Sequence, residues 1–382
     1  MTIPRQWAFE RSEYDRRVEA VRALMASQDV DVLVCFSAAN IYYLSGLDDE
    51  SLADLQAVIL PIDADPLLVQ FWFEAGRAAN TSWIDRIVTY SGDEGVATVA
   101  ASIRGLAPRR VAIDTGDGIS ITDFARLQAL LDGGTSTYVD GFGLVERARL
   151  TKSSAEIRYL IEAAAISDRA VVAGLAVIRE GVVDREAAAA VMSILYGEGD
   201  PIPFGPIIAA GFRSGTPHST FAGDVVRSGE PVFFELTAAR RRYTAPLMRM
   251  AIVGRPSVRA QAIADAGSAA IDAVLQTARA GIAASTVARA ALTELKPVLT
   301  DLAFHNTIGY PVGAGFPLTW VERLGFLIRE ENDRPLEAGM SFHLPISIRS
   351  FGSFGICQSE TILITENGAE ALTRSPRILH VA

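Results

Sequence analysis

Residues 232–250 read VFFELTAARRRYTAPLMRM. An apolar run holds one acidic residue, Glu235, and a basic cluster follows: Arg240, Arg241, Arg242, then Arg249. A buried strand rarely accepts a carboxylate unless something compensates it or uses it. Two roles are open for Glu235: a reacting carboxylate in a closed pocket, or a structural ion-pair partner of Arg249 or Arg242. His218 lies between Pro and Ser in GTPHST. Its imidazole could shuttle protons near neutral pH or could be an ordinary loop residue. Glu360, in SETILIT, opens a strand, either as a second pocket carboxylate or as an edge residue. His343 alternates with apolar neighbours in SFHLPI, which suits a core histidine and a pocket histidine equally. Tyr310 and Trp320 flank a Gly/Pro-rich stretch that could line a pocket, with core packing as the default for both. Arg240 to Arg242 read as a solvated face from which one guanidinium could meet a substrate carboxylate. His305 and His380 read as structural or exposed.

Carboxylates in a closed pocket can hold a cationic ligand, and one of them can act as a base or a nucleophile. The set Glu235, His218 and Glu360 would have to be assembled from separate segments. Helical spacing marks residues 9–28, where Val18, Val21, Leu24 and Met25 share a face. Strand-like and helical stretches then alternate up to about residue 145, as in an α/β domain. Near residue 149 the texture changes. A long amphipathic helix with a Ser-containing start and a Glu close behind it opens a region that runs helices, strands, helices, strands. This is an α+β pattern with a possible internal duplication. The domains are therefore set at 1–147 and 148–382.

Bulk properties narrow the class. A net charge of -10 over 382 residues argues against a nucleic-acid partner. Two cysteines, Cys35 and Cys357, do not make a disulfide scaffold. The first residues lack the apolar core of a signal peptide, and no apolar run is long enough for a membrane span. The expectation is a cytoplasmic protein with no membrane partner.

Several strings together resemble the creatinase/aminopeptidase P group with its pita-bread fold: RLTK at 149–152 with Glu156, His218 in GTPHST, Gly229-Glu230-Pro231, Gly339-Met340, and ETILITENGAEALT. The resemblance implies an N-terminal α/β domain, a C-terminal α+β pita-bread domain and a homodimer. It also implies, for the group's peptidases, two divalent metals held by two Asp, one His and two Glu. Those positions fall here on Glu235, Pro246, Tyr310, at or beside Pro345, and on Ser359 with Glu360 one place later. Proline cannot replace a carboxylate, so no metal and no other cofactor is expected.

Within the group, RRRYTAPLMR, GYPVGAGFPLTW, MSFHLP and SETILIT are similar to the ectoine hydrolase branch, and His218 aligns with the catalytic His of creatinase. The resemblance implies a metal-independent hydrolase of a small non-peptide C–N bond, a cyclic amidine foremost. Glu235 would be nucleophile or base, His218 proton shuttle and Glu360 a further catalytic carboxylate. Tyr243, Arg249, Tyr310, Trp320 and His343 would bind substrate. The sequence departs from that branch at Thr244 and Ala245 and in SGLDDESLADLQ. Pocket walls would come in part from the first domain and the partner subunit, and a loop such as residues 45–56 could reach either subunit's site. The alternatives are a creatinase-like amidinohydrolase or lyase, a metal-dependent Xaa-Pro peptidase, and an inactive binding relative.

Overall fold

The computed structural model describes residues 3–50, 54–116, 118–323 and 325–382. The chain divides into two compact units, Met1–Arg149 and Leu150–Ala382, two residues beyond the boundary read from the sequence.

The N-terminal unit is a six-stranded sheet with helices. Its strands are β1 (Val32–Cys35), β2 (Ala57–Pro61), β3 (Leu67–Phe71), β4 (Ile87–Tyr90), β5 (Arg110–Asp114) and β6 (Thr137–Asp140), ordered β4-β3-β2-β1-β5-β6. β1, β5 and β6 run parallel, while β2 is antiparallel to both its neighbours. Four-residue β1 is buried throughout, which is why it reads as an unbroken apolar run. Helix α1 (Arg11–Ser27) turns Tyr14, Val18, Val21 and Met25 inward, and Leu24 is half-buried at the edge of that face.

The C-terminal unit opens with α2 (Ser154–Ala176) and α3 (Asp184–Glu198), followed by β7 (Ile207–Ala210), β8 (Pro231–Arg240) and β9 (Tyr243–Ile252). A second helix pair, α4 (Val258–Thr277) and α5 (Ala284–Leu295), precedes β10 (Tyr310–Phe316), β11 (Thr319–Val321) and β12 (Ser341–His343). The hairpin β13 (Ile346–Ser350) and β14 (Phe354–Gln358) follows, then β15 (Thr361–Ile364), β16 (Ala369–Ala371) and β17 (Leu379–Val381). The main sheet runs β16-β15-β12-β10-β9-β8-β7. The stretch MSFHLPISIRSF, continuous in the sequence, is thus divided between the main sheet and the hairpin.

The start of α2 follows from its sequence. Ser153 Oγ accepts from the Glu156 amide at 3.2 Å, and Glu156 Oε2 accepts from the Ser153 amide at 2.8 Å. β8 and β9 form a ten-pair ladder in which Glu235 faces Met248 and Thr237 faces Pro246. The tight turn between them places Arg241 and Arg242 at φ 47° and 70°, the left-handed pair that suits a two-residue hairpin. Asp200 accepts from the Arg241 amide at 2.6 Å, so the basic cluster belongs to a turn.

β8 is covered on both faces. Val232, Phe234, Leu236 and Ala238 pack with α2 and α3, whereas Phe233 packs with α4 and α5. By the two-residue period, Glu235 shares the face of Phe233. Both cysteines are buried and unbridged. No described helix is long and apolar enough to cross a membrane.

Candidate active site

Glu235 opens into a cavity of about 490 Å³ in the C-terminal unit. Its walls are mostly apolar, with Pro217, Met248, Ala303, Phe304, Val321, Leu327, Pro345 and Phe351. His218, His305, Thr307, Tyr310, Ser347 and Arg349 supply the polar groups. An apolar chamber of this size with a few convergent polar groups suits a small molecule.

Glu235 is 6% exposed, and burial pushes its carboxyl up to about 7, with Arg349 pulling the other way. It forms no ion pair with any described cation, so the structural role offered by Arg249 or Arg242 is not the one it takes. A carboxyl balanced near neutrality can give or take a proton at physiological pH. His218 is an exposed residue held at φ 57°. This backbone state is uncommon for a side chain larger than glycine. It sets the imidazole on the cavity wall beside Pro217.

Tyr310 enters the cavity at the start of β10. Its hydroxyl accepts from Trp320 Nε1 at 2.9 Å and lies 2.6 Å from His343 Nδ1. On the other side of that ring, His343 Nε2 lies 2.7 Å from Ser359 Oγ, which accepts from the Met248 amide at 2.6 Å. The chain Trp320–Tyr310–His343–Ser359 therefore fixes the phenol from behind. Burial holds His343 down at about 3, with the positive charges of His305 and Arg249 adding to that effect. A neutral imidazole carries one proton, so it donates to one hydroxyl and accepts from the other. Burial raises the Tyr310 pKa, as does the charge on Glu235.

Three expected site residues lie elsewhere. Arg249 and Glu360, each 1% exposed, form an ion pair at 2.7 Å away from the cavity. Thr373 also donates to Glu360, and Arg377 stands 3.5 Å from it. Tyr243 donates to Glu156 Oε1 at 2.7 Å, so the side chain that caps α2 also ties that helix to β9. Glu360 is thus not a second cavity carboxylate, and Arg249 and Tyr243 are not cavity residues. Two others, Trp320 and His343, support the site without lining it. Trp320 stacks on Phe204 with centroids 4.1 Å apart.

The structure adds two residues to the cavity: His305, read from the sequence as structural or exposed, and Arg349, which the sequence reading passed over. His305 is exposed, stacks on Phe304, and accepts at Nδ1 from the Thr307 amide at 3.1 Å. Desolvation lowers its pKa, the Pro345 carbonyl opposes, and Arg349 adds to the lowering. Arg349 is 5% exposed on β13. Its signal was available: in ISIRS, Ile346 and Ile348 alternate with Ser347 and Arg349, and the isoleucines enter the core. His380 sits on β17, paired with Ala251. Residues 51–53 of the 45–56 loop lie outside the described residues.

A creatinase/prolidase N-terminal domain model matches residues 17–151, and a model described as metallopeptidase family M24 matches residues 158–366. The chain belongs to the M24 family. One M24 relative, an uncharacterized hydrolase/peptidase of Sinorhizobium fredii, is 30% identical, with 98% of this chain and 97% of the relative covered. The ectoine hydrolase of Halomonas elongata is 29% identical, with 98% of each chain covered. An Xaa-Pro dipeptidase of Pyrococcus horikoshii is 24% identical, covering 96% of this chain and 99% of the relative. Among solved structures, an Xaa-Pro dipeptidase from Bacillus anthracis superposes with a TM-score of 0.84 at 21% identity, over 97% of this chain and all of that one. These matches establish the M24 pita-bread fold behind a creatinase-type N-terminal domain, and they place the chain among hydrolases.

The M24 family name implies metal, and the donor set can be tested against it. Of the five positions aligned with ligands, Glu235 alone carries a carboxylate, and Pro246 and Pro345 offer no side-chain donor. The Tyr310 and Ser359 hydroxyls are engaged with His343. Among the described residues, no three His, Cys, Asp or Glu side chains gather into a cation site. These residues do not fit a two-cation centre.

Proposed function

We propose that this M24 hydrolase cleaves a small non-peptide C–N bond without metal, with a cyclic amidine as the substrate class. The observation that carries the reading is Glu235. It is a buried carboxylate balanced near neutrality, in a small-molecule cavity that it shares with the His218 imidazole. As the carboxylate, Glu235 attracts an amidinium and either attacks its carbon or draws a proton from the attacking water. His218 supplies the proton that the departing nitrogen needs. Tyr310, held by Trp320 and His343, presents a fixed hydroxyl to the reacting centre.

The similarity to an ectoine hydrolase over nearly the whole chain supports this class. Xaa-Pro dipeptidases cover the chain as fully, but the donor set speaks against a two-metal peptidase. A homodimer and a cytoplasmic location belong to the same reading. The test is incubation with ectoine, with the products followed by NMR. Ring opening by the wild type and its loss in Glu235→Gln are expected. Cleavage of Xaa-Pro dipeptides with no amidine turnover would overturn the proposal.

A further inference from the structure

Arg349 is a buried guanidinium with no carboxylate partner among the described residues. Other buried cations of the same unit are paired: Lys152 meets Glu322 at 2.6 Å and Arg249 meets Glu360 at 2.7 Å. Arg349 forms no ion pair with Glu235 or with any other described acidic residue, although the two influence one another across the cavity. A charge taken out of water needs compensation, and leaving one unpaired is costly.

The guanidinium is also fixed in place. Nε donates to Ser347 Oγ at 2.9 Å, and Nη1 donates to the Ser214 carbonyl. Its carbon lies 4.9 Å from the centroid of the Phe233 ring. Gly355 makes the approach to Ser214 possible, since a Cβ there would meet the Ser214 carbonyl oxygen at 2.1 Å. The remaining nitrogen, Nη2, has no described protein acceptor, and the side chain lines the cavity. A held guanidinium with one uncommitted edge loses little freedom on meeting an anion.

We propose that Arg349 binds an anionic group, a carboxylate in the first instance, on the same small molecule whose C–N bond is cleaved beside Glu235. This rests on the function proposed above and narrows it. The substrate carries a cationic amidine for Glu235 and, a few bonds away, an anion for Arg349. The two protein charges then select a zwitterion over a simple amidine.

The experiment uses the full-length protein and two probes that differ by one group: ectoine, a cyclic amidine bearing a carboxylate, and the same ring without the carboxylate. Binding is measured by calorimetry and turnover by NMR. A charge-assisted hydrogen bond predicts a preference for ectoine of about ten- to a hundredfold. Arg349→Gln should collapse that preference through KM, and Arg349→Lys should keep part of it. Acetate is the third probe. At equal ionic strength it should raise the melting temperature of the wild type over chloride, and this shift should vanish in Arg349→Gln. An undiminished preference in the Gln variant would overturn the proposal. So would equal binding of both rings together with no acetate shift in the wild type, a result that needs no variant to fold. Arg349-dependent acetate binding without turnover of either ring would leave the anion site standing and remove the amidine reading.

Discussion

Arg249 Nη2 lies 2.7 Å from Glu360 Oε1, with both side chains 1% exposed. Arg249 Nη1 donates to the Met248 and Ser359 carbonyls at 2.8 and 2.6 Å, so the pair locks β9 to the segment entering β15. Burial lowers the Arg249 pKa and raises that of Glu360, and in each case the partner's charge opposes the shift. Removing one partner strands the other. Glu360→Ala should lower stability by about 3–5 kcal/mol in urea denaturation. The double change Arg249→Met, Glu360→Leu should recover much of that loss. A Glu360→Ala protein of normal stability but no turnover would return Glu360 to the catalytic set.

Glu235 should behave in the opposite way. Its folded pKa, about 7, lies above the ordinary value of 4.5. Between pH 4.5 and 7 the folded state therefore holds a proton that the unfolded state has lost. Stability attributable to this residue is complete below pH 4.5 and falls as pH rises to about 7. Above that window the ionised carboxylate costs on the order of 3 kcal/mol. Glu235→Gln should then be more stable than wild type at pH 8 and no more stable at pH 4, as measured by urea midpoints across pH. Because the ionised form of Glu235 reacts, wild-type kcat/KM should rise through a limb near 7. A profile flat from pH 5 to 9 would contradict this role.

His343 should remain neutral throughout the physiological range, since burial holds it at about 3. In an NMR titration its ring signals, assigned through His343→Asn, should not move between pH 5 and 8. Titration in that interval would show that the buried chain is open to water. Tyr310→Phe removes the acceptor for Trp320 Nε1 and should cost about 1–3 kcal/mol.

Activity should survive chelation, and purified protein should hold well below one equivalent of Mn, Co or Zn by elemental analysis. This follows from the donors: one carboxylate and two prolines stand among the five aligned positions. Activity lost on chelation and restored by Mn would mean that other residues form a cation site.

His218→Asn should sharply reduce turnover while leaving the urea midpoint within about 0.5 kcal/mol, because the residue is exposed. Asparagine also tolerates the left-handed backbone at this position, so the change tests the imidazole itself.

Much of this protein was determined by the sequence alone. Ser153 and Glu156 announce the first helix of the C-terminal unit because capping is a local hydrogen-bond exchange. Glu235 stands out because a carboxylate in an apolar strand is costly wherever that strand lies. The prolines at 246 and 345 argue against a metal pair because they have no donor atoms. Only the tertiary structure decided which neighbours of those positions serve the site. Met248 lines the cavity and Arg249, the next residue, turns away from it; Ser359 meets His343 and Glu360, the next residue, meets Arg249. Successive side chains on extended backbone point to opposite faces, so one residue of register separates a pocket group from a buried brace. His305 and Arg349 reach the cavity from distant segments. Arg349 is held there by the Ser214 carbonyl, a contact between residues 135 positions apart that no spacing along the chain encodes.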